Sequence, residues 1–450
     1  MAMAGLESTL IWAAAALAAL AVVVPYALVF HRRLRRDAER KEEATQLGID
    51  RPAAQYPYID PAHCIGCGAC ARACPEGDVL GVVGGTAVVV NGLRCVGHAR
   101  CEAACPVGAI EVGLGDLKSR RDVPLLDDNL ETTLPGVFVA GELGGLALVR
   151  NALAQGRRAA EEAAARLAED GGRRRGDRLD LVIVGAGPAG LSAALTAHVR
   201  GLAYRVLERE ADLGGSLLHY PRRKMVLTQP VEIPPWGELK SEEYQKERLL
   251  EIFSGIVDQY RLGLSFGEGV ETLQPLDGDG YRVTTGRGAW EARAVVLALG
   301  RRGSPRKLEV PGEELPKVMY KLLDAESYRG QKILIVGGGD SAAEAAIGLA
   351  RQPGNEVTLS YRREKLVRIK AKNEAALEPM LASGRVRGLF SSSVTEIAPD
   401  RVRLEVEGAK PVELANDYVF VFAGGVPPFG LLQRAGVRFG GAAETAAAAA

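Results

Sequence analysis

Seven cysteines, all that the 450-residue chain contains, lie between Cys64 and Cys105. They form two runs, Cys64-x2-Cys67-x2-Cys70-x3-Cys74-Pro75 and Cys95-x2-His98-x2-Cys101-x3-Cys105-Pro106. Three soft donors spaced by two wrap one face of an iron–sulfur cubane, and at this spacing the fourth ligand of each run crosses to the neighbouring cluster. The runs therefore give two ligand sets: Cys64, Cys67, Cys70 and Cys105 in one, Cys95, His98, Cys101 and Cys74 in the other. Structural zinc takes the same donors but usually as two short knuckles, and an odd cysteine count does not pair fully into disulfides. The expected metal centres are one 4Fe-4S cluster and a second that is a His98-ligated 4Fe-4S or, with that corner left empty, a 3Fe-4S cluster. An imidazole ligand would raise the potential. A solvent-facing His98 beside the cluster is the third reading. His63, next to Cys64, is placed to tune a cluster by hydrogen bonding.

Two further segments are built to hold dinucleotides. Asp180-Leu-Val-Ile-Val184 is a buried-strand pattern that runs into Gly185-Ala-Gly187-Pro188-Ala189-Gly190 and an alanine-rich helix from Leu191 to Val199. The glycines allow the tight turn, the approach of a pyrophosphate and close helix–strand packing. A second strand, Tyr204 to Leu207, ends in Glu208, where a carboxylate accepts from ribose hydroxyls. The pattern returns at Lys332-Ile-Leu-Ile-Val336, followed by Gly337-Gly-Gly339-Asp340-Ser341-Ala342 and a helix from Ala343 to Ala350. After the next strand, Glu356 to Ser360, stands Tyr361-Arg362-Arg363 in place of an acid. Two arginines there suit a 2′-phosphate, which makes NADPH the expected nucleotide and NADH its alternative; a pair of solvated surface arginines is the bland reading.

The elements that position these groups include a hydrophobic N-terminal segment. Leu10 to Phe30 carries no charge over 21 residues and is followed at once by His31-Arg-Arg-Leu-Arg-Arg36, whereas only Glu7 precedes it. At about 1.5 Å per residue this spans the roughly 30 Å hydrocarbon core. The basic flank keeps the body of the protein on the cytoplasmic side of an inner membrane, where reduced thiols persist. A net charge of zero gives no reason to expect nucleic acid, and an apolar fraction of 47% is ample for buried cores.

Taken together, the two unlike nucleotide sites resemble the FAD and NADPH sites of thioredoxin-reductase-like flavoproteins, and the cysteine module resembles a bacterial two-cluster ferredoxin. Gly214-Gly215 after Glu208, Val295-Val-Leu-Ala-Leu-Gly300 and Tyr418-Val-Phe-Val-Phe-Ala-Gly-Gly425 also match the flavoprotein branch, where the glycine-ended strands mark passages between the two domains. Two departures stand out. Tyr320 and Leu323 occupy roughly the positions of the family's Cys-x2-Cys, so thioredoxin reduction by that dithiol is lost. The Pro-Gly-Val-Phe-x-Ala-Gly-Asp segment expected near the C-terminus is instead found before the FAD strand, as Leu134-Pro-Gly-Val-Phe-Val-Ala-Gly141-Glu142, trailed by a helix-forming stretch from Asn151 to Glu169. The resemblance implies a circular permutation joined through Gly171-Gly-Arg-Arg-Arg-Gly176, with Gly141 and Glu142 closing over the flavin and the ferredoxin module spliced to that segment through Val107 to Arg121.

The expected fold is α/β, with two dinucleotide-binding Rossmann-like domains preceded by a small α+β ferredoxin-like domain and one transmembrane helix. The boundaries are an anchor (1–36), a tether (37–55), the ferredoxin domain (56–115), the permuted FAD-closing segment (116–170), the FAD domain (177–305), the NADPH domain (306–417), a return to the FAD domain (418–440) and a tail (441–450). The expected function is electron transfer between NADPH, FAD and the clusters, to or from a ferredoxin, a quinone or another membrane redox protein, in a homodimer. The alternatives are a small-molecule disulfide reductase and a redox sensor without turnover. His219-Tyr220-Pro-Arg-Arg-Lys224 either faces the flavin or nicotinamide or is a basic surface loop. Arg362 to Lys372 either docks an acidic carrier or extends the nucleotide site.

Overall fold

The computed structural model describes residues 2–49, 55–114, 120–146, 148–169, 178–277, 279–367 and 369–441. The Gly171–Gly176 joint, the alanine tail beyond Gly441, and parts of the tether and of the splice lie outside the described residues. Two compact units are present: Met1–Gly115 with Lys370–Lys372, and Asp116–Ile369 with Asn373–Ala450.

The first unit opens with one helix, Ala2–Gln46. From Trp12 onward its apolar stretch is exposed, and the helix is long and apolar enough to cross a membrane. The expected tether does not begin at residue 37, because the helix continues unbroken and docks. Asp37 and Ala44 fall seven residues apart, two turns on one face, and both are buried. Asp37 Oδ2 accepts from Val82 N at 3.0 Å, Arg40 pairs with Asp78, and Arg94 Nη1 donates to Asp78 Oδ2 at 3.2 Å. The backbone of Ile49, just past the helix, accepts from Gly92 N at 2.9 Å. Beyond it, strands Gln55–Ile59 and Ile110–Leu114 pair antiparallel, and Leu80–Val83 with Thr86–Val89 forms a hairpin turned at Gly84-Gly85. Short helices Ala69–Ala73 and Arg100–Ala103 follow the two ligand loops.

Among the described residues the second unit holds two large sheets, beside a three-stranded one, Ser392–Ile397, Arg401–Val406 and Val412–Ala415, and three short strand pairs. In the first, strands lie in the order Leu264–Phe266, Tyr204–Glu208, Leu179–Val184, Gly288–Leu297, Tyr281–Thr285 and Val270–Pro275, and Val137–Val139 also pairs parallel with Gly288–Leu297. Leu181 to Val184 are at most 2% exposed, the continuous burial of a strand covered on both faces. Helix Pro188–Val199 covers one face, and helix Val149–Glu169 lies against it. Val137–Val139 therefore enters this domain's sheet from a position upstream of its first glycine loop.

The second sheet is parallel throughout, in the order Val318–Met319, Tyr418–Val421, Lys332–Val336, Glu356–Ser360 and Val386–Leu389. One expected boundary moves here. Tyr418–Val421 belongs to this second sheet, paired with Ile333 to Val336, and not to the return. The passages between domains are the antiparallel pair Ser304–Pro305 and Gly425–Val426. The return follows with helix Phe429–Ala435, whose Leu431 and Leu432 are buried among Val182, Leu273 and Val283 of the first domain.

Candidate functional site

The two ligand loops repeat one backbone. In Cys64-Ile-Gly-Cys-Gly68, Gly66 and Gly68 have φ of 64° and 68°; in Cys95-Val-Gly-His-Ala99, Gly97 and Ala99 have φ of 78° and 61°. Ala99 accepts a left-handed conformation that costs a residue with a Cβ roughly 1–2 kcal/mol, so the loop shape is imposed by its surroundings. His98 thus occupies the position of Cys67, and at 7% exposure it is buried, which removes the solvent-facing reading. Its Nε2 lies 3.7 Å from Glu76 Oε1.

Cys74, Cys95, His98 and Cys101 line one cavity with Pro75, Val79 and Leu80. These are the four donors of the second expected set. Among the described residues no three metal-binding side chains close on one point, as a single-ion cage would. Burial pushes the Cys74 and Cys101 thiols up to about 11, and nearby cysteines add to it. Thiolates there need a positive centre, which an iron–sulfur cluster would supply. In the first set, Cys70 is also raised by burial, with Cys64 and Cys67 contributing. Ala87 N donates to Cys64 Sγ at 3.3 Å and Ala109 N to Cys105 Sγ at 3.2 Å. Burial opposes ionisation of Cys105, but the amides of Val107, Ala109, Gly108 and Ile110 hold its thiol below the usual range. Amides aimed at sulfur suit a thiolate-bound cluster. His63 Nδ1 lies 2.5 Å from Asp60 Oδ2 and is exposed.

In the first dinucleotide domain the glycines divide by function. A Cβ on Gly190 would stand 1.8 Å from Gly185 O, so that glycine serves helix–strand packing. Around Gly187 the nearest atom to a new Cβ is 3.9 Å away, and around Gly339 nothing lies within 4 Å. The second glycine of each loop therefore leaves the open approach that a pyrophosphate needs. Pro188 opens the helix and Ala189 is buried behind it. Glu208 is buried; its Oε2 accepts from Ala186 N at 2.6 Å and its Oε1 from Glu210 N at 2.8 Å, which braces the glycine loop. Gly214-Gly215 packs beside Gly187: a Cβ placed on Gly215 would stand 3.1 Å from the Cα of Gly187.

Gly141 N donates to Gln155 Oε1 at 2.8 Å, which fixes the turn before Glu142. Glu142 is open to solvent yet surrounded by protein, and this raises its carboxyl, with Arg301 opposing. Tyr220 is in the same situation: crowding raises its phenol, and the charges of Glu142 and Glu344 add to it. Arg301, which sequence reading passed over, donates from Nη2 to Asp122 O at 3.0 Å, and its charge helps hold Asp122 at about 2 after the stronger contact from Arg120. Its signal was the charged pair that interrupts Gly300 and Gly303.

In the second domain, Asp340 and Ser341 start the helix Asp340–Ala350 and Ala342 is fully buried beneath it. Tyr361 fills the place of the ribose acid: it is buried, and its ring would lie 2.1 Å from a Cβ on Gly338. Arg362 and Arg363 are both exposed, directly after the strand Glu356–Ser360. Tyr320 donates to Glu313 Oε1 at 2.6 Å, and Leu323 is exposed, so the former dithiol positions carry a structural hydrogen bond and a surface side chain.

Comparison with known proteins places these features. A family described as pyridine nucleotide-disulphide oxidoreductase matches residues 182–445, and a 4Fe-4S dicluster domain matches residues 56–106. The chain is 31% identical over 278 residues to a ferredoxin–NADP reductase of Thermus thermophilus, covering 58% of this chain and 77% of that protein. It is 30% identical to a ferredoxin–NADP reductase of Ignicoccus hospitalis, covering 55% and 78%. Among solved structures, a bacillithiol disulfide reductase from Staphylococcus aureus matches with a TM-score of 0.52 and 27% identity, over 58% of this chain and 81% of that one.

Proposed function

Because the chain belongs to the pyridine nucleotide-disulphide oxidoreductase family and carries a 4Fe-4S dicluster domain on the same polypeptide, we propose that it is a membrane-anchored oxidoreductase moving electrons between NADPH, FAD and iron–sulfur clusters. The observation that carries this reading is the cysteine distribution: none lies beyond Cys105, so the flavoprotein part has no dithiol of its own, while the attached module carries two ligand runs, the second with His98 at one position. FAD, when bound, accepts a hydride from the nicotinamide and gives up electrons singly, the conversion that a two-electron donor and one-electron clusters require.

The chain's own residues have the following tasks. Gly185, Gly187, Pro188, Ala189 and Gly190 receive the FAD pyrophosphate, with Glu208 on the ribose side, Gly214 and Gly215 closing the loop, and Gly141 and Glu142 closing the flavin end. Gly337, Gly339, Asp340, Ser341 and Ala342 receive NADPH, and Arg362 and Arg363 hold its 2′-phosphate. Cys64, Cys67, Cys70 and Cys105 bind one cluster; Cys74, Cys95, Cys101 and His98 bind the other. Leu10 to Phe30 anchors the protein in the inner membrane with its body in the cytoplasm. The partner is a one-electron carrier, a ferredoxin or a membrane redox component.

Iron and sulfide analysis with electron paramagnetic resonance tests the cluster content. Cys64→Ser and Cys101→Ser test the route: NADPH-driven reduction of a one-electron acceptor should fall with cluster loss, and unchanged turnover would sink the proposed path. His98→Cys should lower the potential of one cluster in a redox titration. A second reading, reduction of a low-molecular-weight disulfide, is favoured by the likeness to bacillithiol disulfide reductase. NADPH oxidation dependent on an added disulfide, and insensitive to both cysteine substitutions, would support it instead.

A further inference from the structure

The segment Tyr220-Pro-Arg-Arg-Lys224 joins the two dinucleotide domains at three points and is itself rigidly held. On the first-domain side, Lys224 N donates to Pro221 O at 3.2 Å and Arg223, at φ 58°, donates from N to Glu247 Oε1 at 3.0 Å. Lys246 adds two bonds, from N to Lys224 O at 2.9 Å and from Nζ to Tyr220 O at 2.5 Å. On the second-domain side, Arg222 N donates to Leu323 O at 3.0 Å, and its guanidinium lies 3.8 Å from Asp324 Oδ2.

The third point is the ion pair of Lys224 with Glu344, two partly buried side chains at 33% and 24% exposure. Glu344 lies on the helix that leaves the second glycine loop. It also accepts from Asn373 Nδ2 at 3.3 Å, and the same amide donates to Asp340 Oδ1 at 2.6 Å. A chain of contacts therefore runs from the first domain to the first residue of the nucleotide-binding helix. The Tyr220 phenol feels the charges of both Glu142, on the flavin-closing turn, and Glu344.

We propose that this loop is a clasp, with Lys224 and Glu344 as its positioning pair, that fixes the two dinucleotide domains in the orientation for hydride transfer. The proposal rests on the reading that NADPH reduces the flavin. With both nucleotides bound, that step would pass a hydride from the nicotinamide, which would be oxidised, to the flavin, which would be reduced, and no protein group would exchange a proton. Neither clasp residue touches the reacting atoms. Their contribution is distance, and a misplacement of about 1 Å costs about 100-fold in rate.

The test uses the full-length holoenzyme. Stopped-flow flavin reduction at saturating NADPH should slow at least about tenfold in Lys224→Ala and in Glu344→Gln. Lys224→Glu combined with Glu344→Lys should recover most of the loss, which a merely structural defect would not allow. Hydrogen exchange at the Arg222 amide should accelerate at least about tenfold in Lys224→Ala, because its bond to Leu323 O closes the same clasp. Wild-type reduction rates in the single variants, or a charge swap no better than either, would overturn the proposal, as would faster exchange with an unchanged rate. If NADPH and NADH both fail to reduce the wild-type flavin, the reading beneath the proposal fails, and unaltered Arg222 exchange in Lys224→Ala would separately refute the clasp.

Discussion

Replacing Gly156 by alanine should destabilise the first dinucleotide domain, although the same replacement is normally favourable within a helix. Gly156 is buried in the helix Val149–Glu169 where it crosses helix Pro188–Val199. Alanine gains about 1 kcal/mol of helix propensity over glycine. Against this, the new Cβ would stand 2.0 Å from Ala189 O and 2.8 Å from its carbonyl carbon. Both partners are backbone, so neither can swing aside, and one helix must retreat by more than about 1 Å. Overpacking of this kind costs about 1–3 kcal/mol, and retreat also loosens Ala159, Ala160 and Ala163, each fully buried on the same helix. The expected net loss is about 1–2 kcal/mol, or about 2–8 °C in Tm at about 2–4 °C per kcal/mol. Bound flavin should fall as well, because the adjacent Gln155 fixes Gly141. Gly255→Ala is the internal control: it lies exposed in helix Lys246–Tyr260 with nothing within 4 Å of a new Cβ, and it should gain about 0.5–1 kcal/mol. Thermal unfolding of both variants, with flavin content measured by absorbance, gives the comparison. Equal stabilisation by the two substitutions would refute the close crossing and the place given to the upstream segment.

Arg362→Gln with Arg363→Gln should raise the KM for NADPH at least about tenfold and leave that for NADH nearly unchanged, as steady-state kinetics would show. Asp37→Ala should cost the iron–sulfur unit about 1–3 kcal/mol in denaturant melts, because the buried Val82 amide loses its acceptor. Asp122, held at about 2 chiefly by Arg120 and then Arg301, has a pKa depressed by folding. Its contribution is therefore complete above the unfolded value near 4 and disappears as pH falls toward 2. The stability gap between wild type and Asp122→Asn should be constant from pH 5 upward and close between about pH 4 and 2 in an acid titration; with the carboxylate partly exposed, the gap should be small.

The metal and nucleotide sites were legible because their chemistry is local. The proposed cluster ligands Cys64, Cys67 and Cys70 stand within one loop, and the glycines expected at a pyrophosphate, Gly185, Gly187 and Gly190, stand at one strand–helix junction. What eluded the sequence was non-local. The charged stretch after Arg36 looks like a solvated tether until Asp37 meets the hairpin Leu80–Val89. Tyr418–Val421 is an apolar strand suited to either sheet, and only its pairing with Ile333–Val336 assigns it to the second. The basic loop before Met225 has no motif, since its meaning lies in partners about 100 residues away.

By itself the sequence determined the cofactor class, dinucleotides and iron–sulfur on one chain, because covalent spacing dictates which donors can surround one centre. Only the tertiary structure decided how those centres are held: the burial of His98 in a loop shaped like that of Cys67, the insertion of Val137–Val139 beside Gly288–Leu297, and the joining of two domains through Lys224 and Glu344. These depend on packing and charge between segments far apart in the chain, and such contacts form only when the whole fold has closed.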